Sequence, residues 1–402
     1  MRMKLTQLAV VVAAAAGVST SAFAIDPQSI RVSDGLMFTP TLGFEHGHDD
    51  NLHATDKKRK STDYTIIEPS FALNLDRAKS AHELKYRLKS YNFHSAKDNS
   101  YIDHHFTGKT GYEFNSRNRL VLNAGYHTLE STSSDNIINA SGKYKNDKWD
   151  TKNIGGVYTF GARTARTQVE LGADYSELRY DDKRNKGSDR DATAGRITGY
   201  YAIAPKTKLL LEGRYTDYDY KKDSNRDSKN KALLAGVTWE ATAKTTGSVK
   251  IGREKKDPDR GSSSSTSMWE AGVDWSPRTY STFSLKTRRG YDEGNTYSAF
   301  DPDLGLDTDH VTSSIKTVDT SLGWKHYWTD RLYSNASYRR IDRDYQSTKR
   351  EDEIDQYGLA LTYELRRWLD VGVGYTRREN DSNVASRDYK RNVYGLTISA
   401  SL

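Results

Sequence analysis

Residues 356–378 read QYGLALTYELRRWLDVGVGYTRR, and this stretch decides the fold. Tyr357, Leu359, Leu361, Tyr363 and Leu365 alternate with Gly358, Ala360, Thr362 and Glu364. After the polar break Arg366-Arg367, Leu369, Val371, Val373 and Tyr375 alternate with Asp370, Gly372, Gly374 and Thr376. Period-two alternation of this length predicts strands with one apolar and one polar face. Two of them joined by about two residues form an antiparallel hairpin, with Trp368 beside the turn. The apolar faces end in aromatics, as they do where a strand crosses from hydrocarbon to water. The hairpin is therefore read as one unit of a transmembrane β-barrel, and the rest of the chain as repeats of it.

Working outward, the chain begins with a segment of a different kind. Arg2 and Lys4 precede the apolar run Leu8–Val18, and Ala22-Phe23-Ala24 has the small-x-small form of a cleavage site. Residues 1–24 are expected to be a cleaved export signal, and 25–402 a single barrel domain in the bacterial outer membrane. The run is too short to span a bilayer as a helix. There are no cysteines, so no disulfides. The formal charge of +7 falls to about +5 without the two leader cations. Mean hydropathy is −0.84 with 29% charged residues, which looks too polar for a membrane protein. A barrel removes the difficulty, because only every second strand residue meets lipid. The 27 tyrosines supply the girdles. A soluble all-β chain or a disordered one is the competing reading; recurring alternation and evenly spread aromatics argue against disorder.

The predicted fold class is all-β: a transmembrane antiparallel up-and-down barrel of about 18 strands, within a range of 16–20. Nine strands are expected at 37–46, 63–75, 82–94, 102–114, 119–130, 149–160, 166–178, 192–203 and 208–220. Nine more are expected at 230–241, 245–255, 267–276, 279–291, 314–327, 331–343, 353–365, 368–378 and 389–402. Uncharged lipid-facing rows recur, such as Leu120, Leu122, Ala124 and Tyr126, or Tyr394, Leu396, Ile398, Ala400 and Leu402. Gaps alternate between short (115–118, 205–207, 277–278, 329–330) and long and charged (47–61, 131–148, 221–229, 256–265, 292–313). Short periplasmic turns and long extracellular loops have this asymmetry. Eighteen strands spaced by about 4.8 Å and tilted about 40° give a backbone radius of roughly 18 Å, which leaves room for a hydrated lumen. The last strand reaches the C-terminus, where barrel-insertion machinery is expected to engage, although Leu402 stands where Phe is more usual.

Alternation also assigns the inward face. Lys85, Arg87 and Lys89 form a ladder, joined by Arg196, Arg214, Lys250, Lys286, Arg288 and Lys325. Glu68, Glu170, Asp174, Glu212, Glu270, Asp274 and Asp319 oppose them. Either these groups pair across strands to brace the wall, or they line a path for a charged or sugar-like solute. In the doublets Arg288-Arg289, Arg339-Arg340 and Arg377-Arg378, the outward members Arg289, Arg340 and Arg377 suit lipopolysaccharide phosphates. His46, His48 and His53, and the acidic run Asp301, Asp303, Asp307 and Asp309, hold ligand types for a metal without a recognised spacing, so no metal or cofactor is expected. Asp103-His104 is the one pair suggestive of catalysis; no phosphate-binding loop or nucleophile elbow accompanies it, and an enzyme is not expected. Basic runs such as Lys57–Lys60 belong to exported loops, so nucleic acid is not an expected partner.

Several residues carry a family resemblance: Phe38-x-Pro40, Asp49-Asp50-Asn51-Leu52, Glu68-Pro69, Tyr86, Tyr91 and Asp103-His104. In these the first quarter of the chain resembles the putative β-barrel porin type 2 family. That resemblance implies a non-enzymatic outer-membrane barrel linked to export of exopolysaccharide or capsular polysaccharide, with polysaccharide and periplasmic export components as partners. The alternatives are a general or sugar-selective diffusion porin for uptake, and a non-conducting structural or adhesive barrel. The loop at 292–313, apolar over Ala299–Leu306, is expected to fold inward and constrict the lumen.

Overall fold

In the computed structural model, residues 29–132, 145–242, 244–293, 314–346 and 348–401 are described. The leader and most of the 292–313 loop, with its four aspartates, lie outside them. The strands are β1 (Ile30–Ser33), β2 (Leu36–Asp49), β3 (Thr62–Asp76), β4 (Ser80–Phe93), β5 (Tyr101–Asn115), β6 (Asn118–Ser131) and β7 (Asp147–Phe160). There follow β8 (Thr167–Tyr180), β9 (Arg190–Ala204), β10 (Thr207–Tyr220), β11 (Ser228–Thr242), β12 (Thr245–Pro258) and β13 (Ser264–Arg278). The last six are β14 (Ser281–Asp292), β15 (Ile315–Tyr327), β16 (Leu332–Tyr345), β17 (Arg350–Arg366), β18 (Leu369–Ser382) and β19 (Tyr389–Ser401). Each of β2–β19 pairs antiparallel with its neighbours in sequence, and β19 closes on β2 with Ser401 opposite Thr41 and Val393 opposite Asp49. The result is a closed 18-strand barrel with one extra strand.

The extra strand is a difference from the sequence reading. β1 folds back on β2 through Asp34-Gly35, with Ile30 opposite Phe38. Gly35, the second residue of the turn, has φ of 77°, in the left-handed region that a side chain resists. β1 occupies the β2 edge just below the point where β19 ends.

The alternation sorts side chains as expected. Leu359, Leu361, Tyr363 and Leu365 are exposed on the outer face of β17, as are Leu209 and Leu211 on β10. Aromatics bound this band at both ends. Toward the long loops, Tyr338 pairs with Tyr357 and Tyr375 with Tyr394. Toward the short turns, Trp275, Phe283 and Trp324 stack in a row. Tyr357 to Leu365 spans roughly 20 Å of height at about 40° tilt, close to the thickness of an outer-face apolar band.

Most strands run past the predicted ends on the long-loop side, so the loops there are shorter than expected. Outward residues at this end of the wall are charged and paired: Arg179 with Asp191, Lys221 with Asp191 at 2.7 Å, and Lys231 with Asp257 at 3.6 Å. Four loops are closed by one device. The last amide of the rising strand donates to a side-chain oxygen just before the next strand begins: Phe93 to Ser100, Tyr180 to Asp189, Tyr220 to Asp227 and Ser382 to Asp388. Each of these loops contains a short 3-10 turn.

Candidate functional site: the lumen and the loop folded into it

The loop after β2, residues 50–61, is built from the sequence Asp49-Asp50-Asn51-Leu52, and it turns into the barrel. Asp49 is buried and accepts from Arg391 of β19 at 3.0 and 2.5 Å. The Asp50 carboxylate accepts from the Asn392 amide at 2.7 Å and from its side chain at 2.6 Å. Asn51 donates to the Thr55 and Lys390 carbonyls. These bonds fasten the loop to the closing strand pair. Ala54 (φ 50°) and Lys58 (φ 54°) then reverse the chain in the left-handed region. Leu52 becomes fully buried against inward Tyr64, Ile66 and Phe93, with Tyr91, Tyr101 and Val393 around them. Gly47 makes room, since a Cβ there would lie 2.6 Å from the Tyr64 hydroxyl. Farther along, the His53 ring meets the Thr132 carbonyl at 3.4 Å, so the loop reaches from β2 to the end of β6. Burial lowers the His53 pKa from its ordinary 6.5.

Below this loop the inward ladder on β4 begins. Tyr91 stacks on Tyr101 with centroids 4.4 Å apart, and the Lys89 ammonium lies 5.1 Å from the Tyr91 ring. Glu68 on β3 lies 3.6 Å from Arg87 and 3.9 Å from Lys89. Lys85 is exposed, with no ion pair among the described residues. His105 and His127 face inward beside this sector with Nδ1 atoms 3.1 Å apart.

The other predicted inward groups fall into separate sets. Arg214 reaches over two strands to Glu270, at 2.5 and 2.8 Å, and also contacts Glu212. Lys250 joins the set at 2.8 Å from Glu270 and 3.5 Å from Glu212. Arg288 pairs with Asp292 at 2.7 Å and lies 3.9 Å from Asp319, which Arg339 holds at 2.7 Å. Glu170 accepts from Tyr200 at 3.1 Å. Asp174 feels the charge of Arg196. Asp274 accepts from Ser284 and feels Lys286. Lys325 lies over the Tyr327 and Tyr333 rings. Thus two clusters brace the wall as ion pairs, and on the β4 ladder Arg87 and Lys89 both approach Glu68.

Of the outward arginines, Arg289 lies over the Trp269 ring at 5.3 Å. Arg340 contacts Asp342 and Glu353, and Arg377 contacts Glu379. Carboxylates therefore already compensate Arg340 and Arg377: Asp342 and Glu379 stand two residues farther along the same strand and face, and Glu353 reaches Arg340 from β17.

Two sequence clusters come apart. His46 and His48 face outward, bonded to Thr65 and Asp63, whereas His53 is buried in the loop against the Thr132 carbonyl. Among the described residues no three His, Cys, Asp or Glu side chains gather as a metal site. Asp103 faces inward and caps the Glu130 amide, while His104 faces outward against the Tyr86 hydroxyl. Strand alternation puts these neighbours on opposite faces, so they do not form a dyad. The inward loop at 50–61 was missed because its anchors, Lys390, Arg391 and Asn392, lie at the other end of the chain. Glu293 is buried against Lys256 and Tyr220. It is the first residue beyond β14 and the last one described before the 292–313 loop continues.

A family model described as putative beta-barrel porin 2 matches residues 24–402. The chain belongs to the putative beta-barrel porin 2 family. Among solved structures, this porin-2 barrel is similar to OccAB2 of Acinetobacter baumannii (12% identity, TM-score 0.49), covering 91% of this chain and 98% of that one. It is also similar to the siderophore receptor PirA of Pseudomonas aeruginosa (11%, TM-score 0.46, 93% and 81%). A third is the FrpB iron transporter of Neisseria meningitidis (13%, TM-score 0.45, 86% and 62%). Likeness at this level has no bearing on what this porin-2 barrel carries. A search of curated proteins found no match.

Proposed function

We propose that the porin-2 barrel is a passive outer-membrane conduit for an acidic, hydroxyl-rich polymer, serving export of exopolysaccharide or capsular polysaccharide. The observation that carries this reading is the eyelet on one side of the lumen. There an inward-folded loop is seated on stacked Tyr91 and Tyr101, directly above Lys85, Arg87 and Lys89. Aromatic faces suit sugar rings, and a cation ladder offers a carboxylate successive weak contacts, so that a chain is held loosely enough to move on. The resemblance of the first quarter supports the exported polymer. On this reading residues 1–24 are removed on export, Arg289, Arg340 and Arg377 meet lipopolysaccharide, and β19 is what the insertion machinery engages.

Planar-bilayer conductance of the refolded barrel, with and without acidic and neutral oligosaccharides, tests it. Large steps blocked by the acidic sugar more than by the neutral one are expected, as is loss of surface polysaccharide in a deletion strain. A correctly folded barrel that does not conduct would sink the conduit. Normal surface polysaccharide in the deletion strain would favour uptake over export.

A further inference from the structure

We propose that the outer face of β13–β16, at the short-turn end, binds one zwitterionic glycerophospholipid, with an acyl chain in a groove and the head group against the β15–β16 turn. The groove has a volume of about 540 Å³ and is almost wholly apolar. It arises because Ala336 stands in a row of large side chains: Phe283, Trp324, Ala336 and Leu359 are successive cross-strand partners. A gap of this size facing hydrocarbon forfeits dispersion contacts unless something fills it, and an apolar lining does not hold water. The bilayer supplies an acyl chain.

A second cavity of about 510 Å³ continues the groove toward the turn, lined by Tyr280, His326, Trp328 and Asp330. The Trp324 and His326 rings, 5.2 Å apart, join the two. His326 Nδ1 is sealed from solvent and has no hydrogen-bond partner among the described residues. A buried unpartnered N–H costs more than a buried lone pair shielded by ring packing, so the proton resides on Nε2. That N–H is a donor suited to a phosphate oxygen. The Asp330 carboxylate, which lines the same cavity as Tyr280 and Trp328, suits an ammonium. Phosphate and ammonium side by side describe a phosphatidylethanolamine head group. A phosphatidylglycerol head group would set hydroxyls where the ammonium belongs. Three of the seven tryptophans in the chain, Trp275, Trp324 and Trp328, lie along this one face.

Native mass spectrometry of the full-length barrel, delipidated in mild detergent and offered palmitoyl-oleoyl phosphatidylethanolamine or phosphatidylglycerol, tests the site. One retained phosphatidylethanolamine is expected, preferred about tenfold, the ratio one good charged contact supplies. Ala336→Phe should abolish retention of both lipids, with the heat-dependent gel shift reporting that it still folds. Asp330→Asn, in an exposed turn, should keep retention but lose the preference. Equal retention of both lipids by the unaltered protein would overturn the head-group assignment. Retention unchanged in a folded Ala336→Phe variant would overturn the groove. A lipid-free dimer broken by Ala336→Phe would give the face to a second copy and also overturn the proposal.

Discussion

Leu52 and His53 show how far one residue's role depends on what lies across the chain. In sequence they sit in a polar, Asp-rich loop, yet Leu52 is fully buried and His53 nearly so. Alternation could not place them, since neither belongs to a strand. His53 gives a residue-scale prediction. The docked loop favours the neutral ring, so the undocked state binds more protons between the ordinary pKa of 6.5 and the lowered docked value. Docking is therefore fully favourable above that ordinary value and weakens as pH falls through the window below it. Asp49 and its partner Arg391, and Lys60, are the charged groups acting on the ring. Hydrogen-exchange protection across residues 50–61, taken relative to the intrinsic exchange rate at each pH, should fall on acidification through this window, and His53→Gln should remove that fall. An unaltered pH profile in His53→Gln would show that some other group opens the loop.

At the scale of elements, the period-two pattern foretold every strand from β2 to β19, because each presents an apolar row to lipid and a polar row inward. It missed β1, whose four residues are too few for a pattern, and it missed the repeated loop closure. The signal for that closure is an Asp or Ser six to nine residues beyond the last strand residue, legible only once the strand ends are known. Asp227→Ala should free the Tyr220 amide, at a cost of about 1 kcal/mol, and speed its exchange roughly fivefold while leaving β10 below it unchanged. The ladder on β4 gives a second test. Alternation alone assigns Lys85, Arg87 and Lys89 inward, but Glu68 as the partner that Arg87 and Lys89 share emerges from the β3–β4 register. Replacing all three with Glu should turn an anion-preferring reversal potential into a cation-preferring one under a salt gradient. No change would place the ion path elsewhere in the lumen.

For the whole molecule, the loop at 50–61 makes a prediction no strand can. It is fastened at the β2–β19 closure and reaches the end of β6, so it narrows one side of the mouth. Replacing residues 52–59 with a short Gly-Ser link should raise single-channel conductance severalfold, since conductance follows the open cross-section. The barrel should remain folded, because the β19–β2 ladder survives. Conductance unchanged in a folded variant would mean that this loop does not bound the path.

The sequence by itself determined the faces of the strands, a closed barrel of about 18 strands and the end that carries the long loops. These follow from side-chain period and from the high cost of charge in hydrocarbon, which are local properties of each segment. Tertiary structure alone decided which loop turns inward, which inward charges are compensated and where the outer face is hollow. Arg214 finds Glu270 from three strands away, Asp49 finds Arg391 at the far end of the chain, and Ala336 leaves a groove only because Trp324 and Leu359 flank it. Such contacts arise from closure and register, which bring together residues that no window along the sequence contains.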